Sequence, residues 1–258
     1  MTDIISGDMP GKVRLDIDQG VAVVTLADPG RRNALSKRLS DSLAGAVREA
    51  LADGARALVL AAEPPVFCAG GALDDLLRQE HPLGEAYAGF LAFAEAPVPT
   101  IAAVAGPAIG AGVNLPLACD VVIAGESARF DPRFLDVGIH PGGGHQWRLA
   151  QRVGPQGAAA LVLCGDSLNG TEAARCGLAW RCVPDDEVLA VAMTLARRAA
   201  ARSPELVRRA KQTLRETTGY ADGSATAFAV ELRAQQWSVD QPYFLETVRA
   251  LREKIGSR

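Results

Sequence analysis

The stretch PTIAAVAGPAIGAGVNLPLACD, residues 99–120, joins an apolar run, a glycine-containing turn and a second apolar segment. The β-branched and apolar residues 101–104 predict a buried strand. Glycines at positions 106, 110 and 112 lack a Cβ atom, so the backbone there can turn sharply and approach a ligand closely. A helix that begins near Ala111 would direct unpaired N–H groups, and the positive end of its dipole, into the turn. We therefore expect a strand, a glycine turn and a helix start that could bind a negatively charged oxygen.

A second turn of this kind lies earlier in the chain. The apolar run at residues 57–62 predicts a strand, and Gly70 and Gly71 then lead into a helix-like segment near Asp74. Two such turns in one domain could direct two backbone N–H groups at one oxygen, the arrangement called an oxyanion hole. Each turn alone is equally typical of an ordinary connection between a strand and a helix, and the sequence does not show whether the two meet.

The remaining pattern predicts an α/β protein. Two runs rich in Val and Ile flank Gln19-Gly20 and predict a β-hairpin. Ser36 is a suitable N-cap for an amphipathic helix, and the last third of the chain is mostly helical. We therefore divide the chain into an α/β core, residues 1–185, and a C-terminal helical region, residues 186–258.

Composition narrows the class of protein. A chain of 258 residues with 48% hydrophobic and 22% charged residues is ordinary for a globular enzyme. The net charge of −3 gives no reason to expect nucleic acid or a membrane as a partner. The five cysteines form no CxxC pair and the three histidines show no metal-ligand spacing, so we expect reduced thiols, no metal and a cytoplasmic protein. The first ten residues lack the pattern of a signal peptide, and no apolar run is long enough to span a membrane.

Several short motifs follow one another along most of the chain. They are RRNAL at 31–35, FCAGG at 67–71, IAAVAGPAIGAG at 101–112, LACD at 117–120, PGGG at 141–144, RVG at 152–154, CGLAWRCVPDDE at 176–187, ARSP at 201–204 and LREK at 251–254. By these motifs the chain resembles the enoyl-CoA hydratase/isomerase (crotonase) family almost end to end. Each motif is weakly specific alone, and their order and spacing carry the resemblance.

The resemblance implies a fold, a substrate and an assembly. The fold would be a spiral of ββα turns that forms two stacked sheets, with C-terminal helices that build a homotrimer or a hexamer made of two trimers. The substrate would be an acyl-CoA thioester, with coenzyme A as part of the substrate and no separate cofactor. By position, the backbone N–H groups of Gly71 and Ala111 would hold the thioester oxygen.

The resemblance also assigns residues to the CoA arm and the acyl group. In many family members the last helix of a neighbouring subunit reaches the adenine and its phosphate, which points here to Leu251 and Lys254. Because CoA is polyanionic, arginine and lysine suit this role, although solvated surface charge is an equal alternative for each residue alone. The full set implied for CoA or substrate is Arg31, Arg32, Ala34, Cys68, Ala69, Gly71, Leu73, Phe134, Leu251 and Lys254.

The chain departs from the family at the residues that position and activate water in a typical hydratase. A typical hydratase has two glutamates at positions that are Asn114 and Phe134 here, and the family aspartate after the first glycine turn is replaced by Ala72. A positioned general acid or base contributes roughly 10²–10⁴ in rate. Asn114 can form hydrogen bonds but does not titrate near neutral pH, and Phe134 does neither. The sequence therefore keeps the predicted oxyanion hole and lacks the carboxylate pair.

Other side chains could replace the missing glutamates. His145 stands in the first turn after PGGG, near the expected acyl group, and a neutral imidazole suits proton transfer. Asp136 lies two residues beyond Phe134, where some family members carry alternative acids. Each has a structural alternative, and Asp131 and His140 fit a turn or structural role better.

Three functional hypotheses follow. The first is an acyl-CoA enzyme that polarises a thioester and performs isomerisation, thioester hydrolysis or another reaction through an enolate. The second is a catalytically silent acyl-CoA binder, and the third is an ordinary enoyl-CoA hydratase. The acyl chain is not determined; Tyr87, Phe90 and Phe93 share one face of a predicted helix and could cover the acyl pocket or pack in the core.

Overall fold

The computed structural model describes residues 5–9, 12–218 and 220–256. The strands are β1 Ile5–Met9, β2 Val13–Asp18, β3 Val21–Leu26, β4 Ala57–Ala62, β5 Thr100–Val104, β6 Pro107–Ile109, β7 Val121–Gly125, β8 Arg129–Asp131, β9 Leu168–Asn169 and β10 Arg181–Val183. The α-helices are α1 Lys37–Ala52, α2 Leu73–Arg78, α3 Ala88–Glu95, α4 Asn114–Ala118, α5 His145–Leu163, α6 Gly170–Cys176, α7 Val188–Ala200, α8 Pro204–Thr217, α9 Tyr220–Val239 and α10 Pro242–Gly256.

Two sheets organise the fold. The larger has the strand order β1-β2-β3-β4-β5-β7-β10, and the smaller has the order β6-β8-β9. The predicted hairpin is the antiparallel pair β2–β3, while β3, β4, β5, β7 and β10 are paired in parallel. Strand β4 reads as an unbroken apolar run because helices cover both faces of the parallel region. The predicted α/β class with two sheets is confirmed.

Helices on one face of the larger sheet build the main core. Ser36 caps α1 as predicted, with its hydroxyl accepting from Leu39 N at 3.1 Å. Helix α1 packs on α3, and the buried Leu43, Phe90 and Phe93 belong to this core. Of the two roles considered for the aromatic face, Phe90 and Phe93 therefore have the packing role.

Helix α7 covers the opposite face of the larger sheet. Its buried residues recur at every fourth position, from Val188 through Ala192, and pack against Val59, Ile101 and Ile123. This helix lies beyond residue 185, so the first helix of the predicted C-terminal region packs on the sheet of the predicted α/β core. The sheet would expose one apolar face without the first helix of the C-terminal region. The ends of the two predicted regions, residues 1–4 and 257–258, lie outside the described residues.

Helices α9 and α10 fold back over the segment that follows β8. Val239, Phe244 and Val248 pack against Phe134 and Ile139 of that segment. The C-terminal region therefore closes one side of the cleft described below. Its predicted role in trimer or hexamer formation stays a prediction. Within the described parts of the chain, no helix has the length and apolar character needed to cross a membrane.

Candidate active site

A cleft of about 1200 Å³ opens between the two glycine turns and the C-terminal helices. Its apolar wall includes Leu76, Ile109, Phe134 and Ile139. Its basic residues come from the segment before α1, from α1 itself and from α2. They are Arg31, Arg32, Lys37, Arg38 and Arg78, and Arg133 adds a further one beside Phe134. The cleft therefore combines basic and apolar lining residues.

The two glycine turns meet in the wall of this cleft. An ideal Cβ atom on Gly70 would lie 2.8 Å from Ile109 O and 3.7 Å from Ala111 N. One on Gly112 would lie 2.5 Å from Cys68 O, so any side chain there would push the turns apart. The backbone of Cys68 also pairs with β6, with N–H···O distances of 3.1 Å to Pro107 and 2.9 Å from Ile109. The convergence that the sequence left open is therefore present.

The hydrogen bonds around Gly71 show where its N–H points. Leu35 N donates to Gly70 O at 2.7 Å, and Ala72 N donates to Leu35 O at 2.9 Å. Gly70 and Ala72 thus form the two hydrogen bonds of a parallel bridge to Leu35. In such a bridge the N–H and C=O of the residue between them, here Gly71, point away from Leu35. The other side of this segment is occupied by β6 and the turn that contains Ala111. The N–H of Gly71 is therefore directed toward the second glycine turn.

Ala111 supplies the second N–H from a short helix start. It lies in the 3-10 turn Gly110–Val113, which continues into α4. In a 3-10 turn the first N–H that donates within the helix lies three residues after the first carbonyl that accepts. The N–H of Ala111 comes before that donor, so it has no acceptor within the helix. Gly71 and Ala111 both line the cleft. Two backbone N–H groups on one cleft wall are what the predicted oxyanion hole requires.

The residues predicted to bind CoA are only partly brought together. Arg31, Arg32, Ala34, Ala69, Leu73, Phe134 and Leu251 line the cleft together with Gly71. Cys68 does not line it: the residue is fully buried, and burial raises the pKa of its thiol to about 12. Its side chain packs beside Gly112, so its role is to position the turns. Lys254 is exposed and is not part of the lining.

Leu251 reaches the cleft from the same chain. The resemblance suggested that this helix serves a neighbouring subunit, yet Leu251 and Ile255 of α10 line the cleft of their own chain. Arg252 pairs with Asp74 of α2 at 3.0 Å and ties the two helices together beside the cleft. The folding back of α9 and α10 therefore places this contact within one chain.

Asn114, Phe134 and His145 form one buried cluster. Asn114 Nδ2 donates to Gly142 O at 3.1 Å, and its Oδ1 lies 2.7 Å from His145 Nδ1. Because Gly142 O can only accept, the amide oxygen must face the imidazole, and Nδ1 must carry the proton. His145 Nε2 is then an acceptor, and it is enclosed without a hydrogen-bond partner among the described residues. The ring of Phe134 packs edge-on against His145 with centroids 4.9 Å apart.

The structure separates the two residues predicted to replace the glutamates. His145 contacts both replaced positions, although it is fully buried and does not itself line the cleft. Asp136 is exposed on the 3-10 turn Leu135–Val137 and is not part of the lining either, so it is not brought to the site. Asp131 is buried and paired with Arg129 and Arg133, a structural role.

Sequence reasoning missed Glu231 and Gln235 of α9 and left the role of Tyr87 open. Glu231 is buried and accepts from His145 N at 2.7 Å and Gln146 N at 3.0 Å, so it caps the start of α5 from another helix. Tyr87, which the sequence offered either as a cover of the acyl pocket or as a core residue, lines the cleft and donates to Gln235. No local pattern marks Glu231 or Gln235, because their partners lie 86 and 148 residues away.

Burial makes His145 a pH-sensitive element of stability. Its enclosure, and secondarily the charge of Arg148, lower its pKa from 6.5 to about 3. Above pH 6.5 the imidazole is neutral in both folded and unfolded chains. As the pH falls from 6.5 toward 3, only the unfolded chain takes up this proton, so stability should fall by up to about 1.4 kcal/mol per pH unit.

The His145→Gln variant tests this contribution. Its amide can still donate to Asn114, and it removes the titration. We expect the acid-side slope of unfolding free energy against pH to become shallower in denaturant titrations. An unchanged slope, or an imidazole resonance that titrates near its ordinary pKa in the folded protein, would contradict the assignment.

The comparisons with known proteins agree with this geometry. A family model described as enoyl-CoA hydratase/isomerase matches residues 16–256. The chain is 41% identical over 252 residues to a probable enoyl-CoA hydratase of Mycobacterium tuberculosis, covering 94% of this chain and 98% of that protein. It is 36% identical over 206 residues to 2,3-dehydroadipyl-CoA hydratase of Escherichia coli, covering 77% and 80%.

Solved structures show the same fold. The crystal structure of an enoyl-CoA hydratase/isomerase from Pseudoalteromonas atlantica T6c is similar at a TM-score of 0.86 and 30% identity, covering 94% of this chain and 97% of that chain. Carnitinyl-CoA hydratase from Mycobacterium avium is similar at a TM-score of 0.84 and 31% identity, covering 95% and 96%. The fold and site thus define an enzyme class that acts on acyl-CoA thioesters. The chain belongs to the enoyl-CoA hydratase/isomerase family.

Proposed function

We propose that this chain binds an acyl-CoA thioester with its carbonyl oxygen between the N–H groups of Gly71 and Ala111, and acts on the polarised acyl group without paired-glutamate hydration. The observation that carries the proposal is the buried cluster of Asn114, Phe134 and His145 beside that oxyanion hole. Two backbone donors stabilise the negative charge that develops on a thioester oxygen when its α-carbon loses a proton or its carbonyl is attacked. These donors do not depend on the substituted side chains.

The carboxylates of the cleft support an altered chemistry. Among the described residues, the acidic side chains that line the cleft are Asp41, Asp74, Asp75 and Glu80. Asp41 pairs with Lys37, Asp74 pairs with Arg252, and Asp75 accepts from Lys37 N at 2.9 Å. These three aspartates therefore serve helix α1 and the contact between α2 and α10. The apolar wall at Phe134 offers no acid or base in their place.

His145 acts in this proposal as a neutral hydrogen-bonding group. A pKa of about 3 leaves the imidazole unprotonated at neutral pH and makes it a weak base. Asn114 holds the imidazole in the Nδ1–H form, and the lone pair of Nε2 is on the side of the ring that faces away from Asn114. The cluster thus places uncharged groups at the two positions where a typical hydratase has glutamates, and it fixes the shape of the wall there.

A binding and turnover experiment tests the proposal. We expect carba analogues, in which CH₂ replaces the thioester sulfur, to bind with micromolar Kd in calorimetry. With 2-enoyl-CoA substrates, we expect hydration far below the typical enzyme range of about 1–10³ s⁻¹. Assays for double-bond isomerisation and for release of the CoA thiol then identify the reaction.

Restoring the carboxylates gives a matched comparison. The double variant Asn114→Glu/Phe134→Glu should raise hydration by 10²-fold or more, because each positioned acid or base contributes roughly 10²–10⁴. The exposed change Gln236→Glu is the control and should not raise it. Hydration by the unaltered chain within the typical range would overturn the proposal in favour of an ordinary hydratase. Binding without any turnover would favour a silent acyl-CoA binder.

A further inference from the structure

A buried hydrogen-bonded pair stands in the wall of the cleft. Tyr87 ends the 3-10 turn Leu83–Tyr87, Gln235 lies in α9, and the Tyr87 hydroxyl donates to Gln235 Oε1. The two residues are only 6% and 3% exposed, and both line the cleft. Polar groups at this depth usually have partners, since an unpaired one loses the hydrogen bonds that it made to water.

The pair leaves one polar atom unused. Burial raises the pKa of Tyr87, so its hydroxyl keeps the proton that it donates to the amide oxygen. The amide nitrogen of Gln235 has no hydrogen-bond partner in the described parts of the chain. Among the described residues, His145 Nε2 is the one side-chain polar atom that is both fully enclosed and without a hydrogen-bond partner. Because Gln235 Nε2 also lacks a partner and is not in that class, it must have some exposed surface. Because Gln235 is otherwise buried, the surface available to this nitrogen is the cleft.

The Tyr87–Gln235 pair lies next to Gly142, close to the expected position of the acyl group. A Cβ atom on Gly142 would overlap both Gln235 Oε1 and the Tyr87 hydroxyl. Gly142 O also accepts from Asn114, which lies one helical turn after the oxyanion donor Ala111. The pair is therefore connected to the second glycine turn through Gly142 and Asn114.

We propose that Gln235 Nε2, held by Tyr87, donates a hydrogen bond to a neutral acceptor oxygen carried by the acyl group of the substrate. This inference rests on the proposed function and names the substrate class: acyl-CoA thioesters with a carbonyl, hydroxyl or ether oxygen along the acyl chain. A plain alkyl chain would cover the N–H groups of Gln235 without offering them an acceptor. A terminal carboxylate would meet the nearby charge of Glu231, which also acts on Tyr87.

The test measures affinity across a matched set of ligands. Carba analogues of acyl-CoA with one chain length are prepared plain, with a single keto or hydroxyl group at successive carbons, and with a terminal carboxylate. For the unaltered chain we expect one oxygenated analogue to bind about 10- to 100-fold more tightly than the plain chain. In Gln235→Leu that preference should fall to about twofold or less, with the plain chain bound at least as well as before.

Two further variants keep the result interpretable. Gln236→Leu changes the exposed neighbour on the same helix and should retain the full preference. Tyr87→Phe removes the hydroxyl that orients the amide and should weaken the preference, which provides the test if Gln235→Leu does not fold. Equal affinity for plain and oxygenated chains would overturn the inference and leave the proposed function standing. Tightest binding of the carboxylate analogue would overturn the neutral-acceptor class, and failure of every analogue to bind would overturn the proposed function itself.

Discussion

Replacing Gly112 with alanine should lower turnover of any acyl-CoA substrate by at least 10²-fold. The new Cβ atom would lie 2.5 Å from Cys68 O and 2.9 Å from Cys68 Cβ, closer than packed atoms allow. Because Cys68 belongs to the backbone that leads to Gly71, the N–H groups of Gly71 and Ala111, which we propose as the oxyanion donors, should move apart. Loss of one such donor costs roughly 10²–10³ in rate, and a displacement of about 1 Å can cost as much.

The readouts for Gly112→Ala are turnover, affinity for a carba analogue and thermal unfolding. Overpacking should also reduce stability by about 1–3 kcal/mol, so activity is compared at a temperature where the variant remains folded. Gly84→Ala is the matched control, since its Cβ atom would meet only side-chain atoms of Leu232 and Phe228 at 3.7 Å or more. Unchanged turnover and affinity in Gly112→Ala would show that the contact between the turns does not set the donors.

Replacing Glu231 with leucine should destabilise the fold by about 3–5 kcal/mol. Its carboxylate accepts from the N–H groups of His145 and Gln146, at the start of α5 and in a buried setting. Removal leaves these donors unpaired and also removes the negative charge that favours a helix N-terminus. Helix α5 begins with His145, so the cluster beside the oxyanion hole should loosen as well.

Denaturant unfolding measures this effect, with Glu205→Leu as the control. Glu205 pairs with Arg209 on an exposed face of α8, where such pairs contribute little, and its loss should change stability by less than about 1 kcal/mol. Glu231→Gln keeps one acceptor and should fall between the two. A loss below about 1 kcal/mol in Glu231→Leu would mean that other groups satisfy the start of α5.

Both predictions concern contacts between distant parts of the chain. The glycine turn around Gly112 is visible in the sequence as a local pattern, yet the partner that makes Gly112 indispensable is 44 positions earlier (112 − 68). Glu231 is in a helix that the sequence predicts correctly, but nothing in α9 indicates that one carboxylate caps a helix 86 positions earlier. Local patterns therefore identify the elements and leave their pairings open.

The candidate site shows the same difference between local patterns, which the sequence reveals, and pairings of distant residues, which it does not. The resemblance placed Gly71 and Ala111 as donors, and the structure brings their turns together in one cleft wall. The sequence offered both His145 and Asp136 as replacements for the missing glutamates, because position along the chain was the available criterion. Only one of them reaches the replaced positions: His145 contacts Asn114 and Phe134, while Asp136 is exposed to solvent.

The sequence by itself determined the β2–β3 hairpin, the strands β4 and β5, the helical character of the last third of the chain, the two glycine turns and the absence of glutamate at positions 114 and 134. These are properties of backbone freedom and of residue periodicity, which act over a few neighbouring residues. Only the tertiary structure decided that the turns converge, that α7 completes the core, that Asn114 fixes the tautomer of His145, and that Gln235 faces the cleft. The physical reason is that burial and hydrogen-bond pairing depend on which distant segments share one interior, and that is settled by packing of the whole chain.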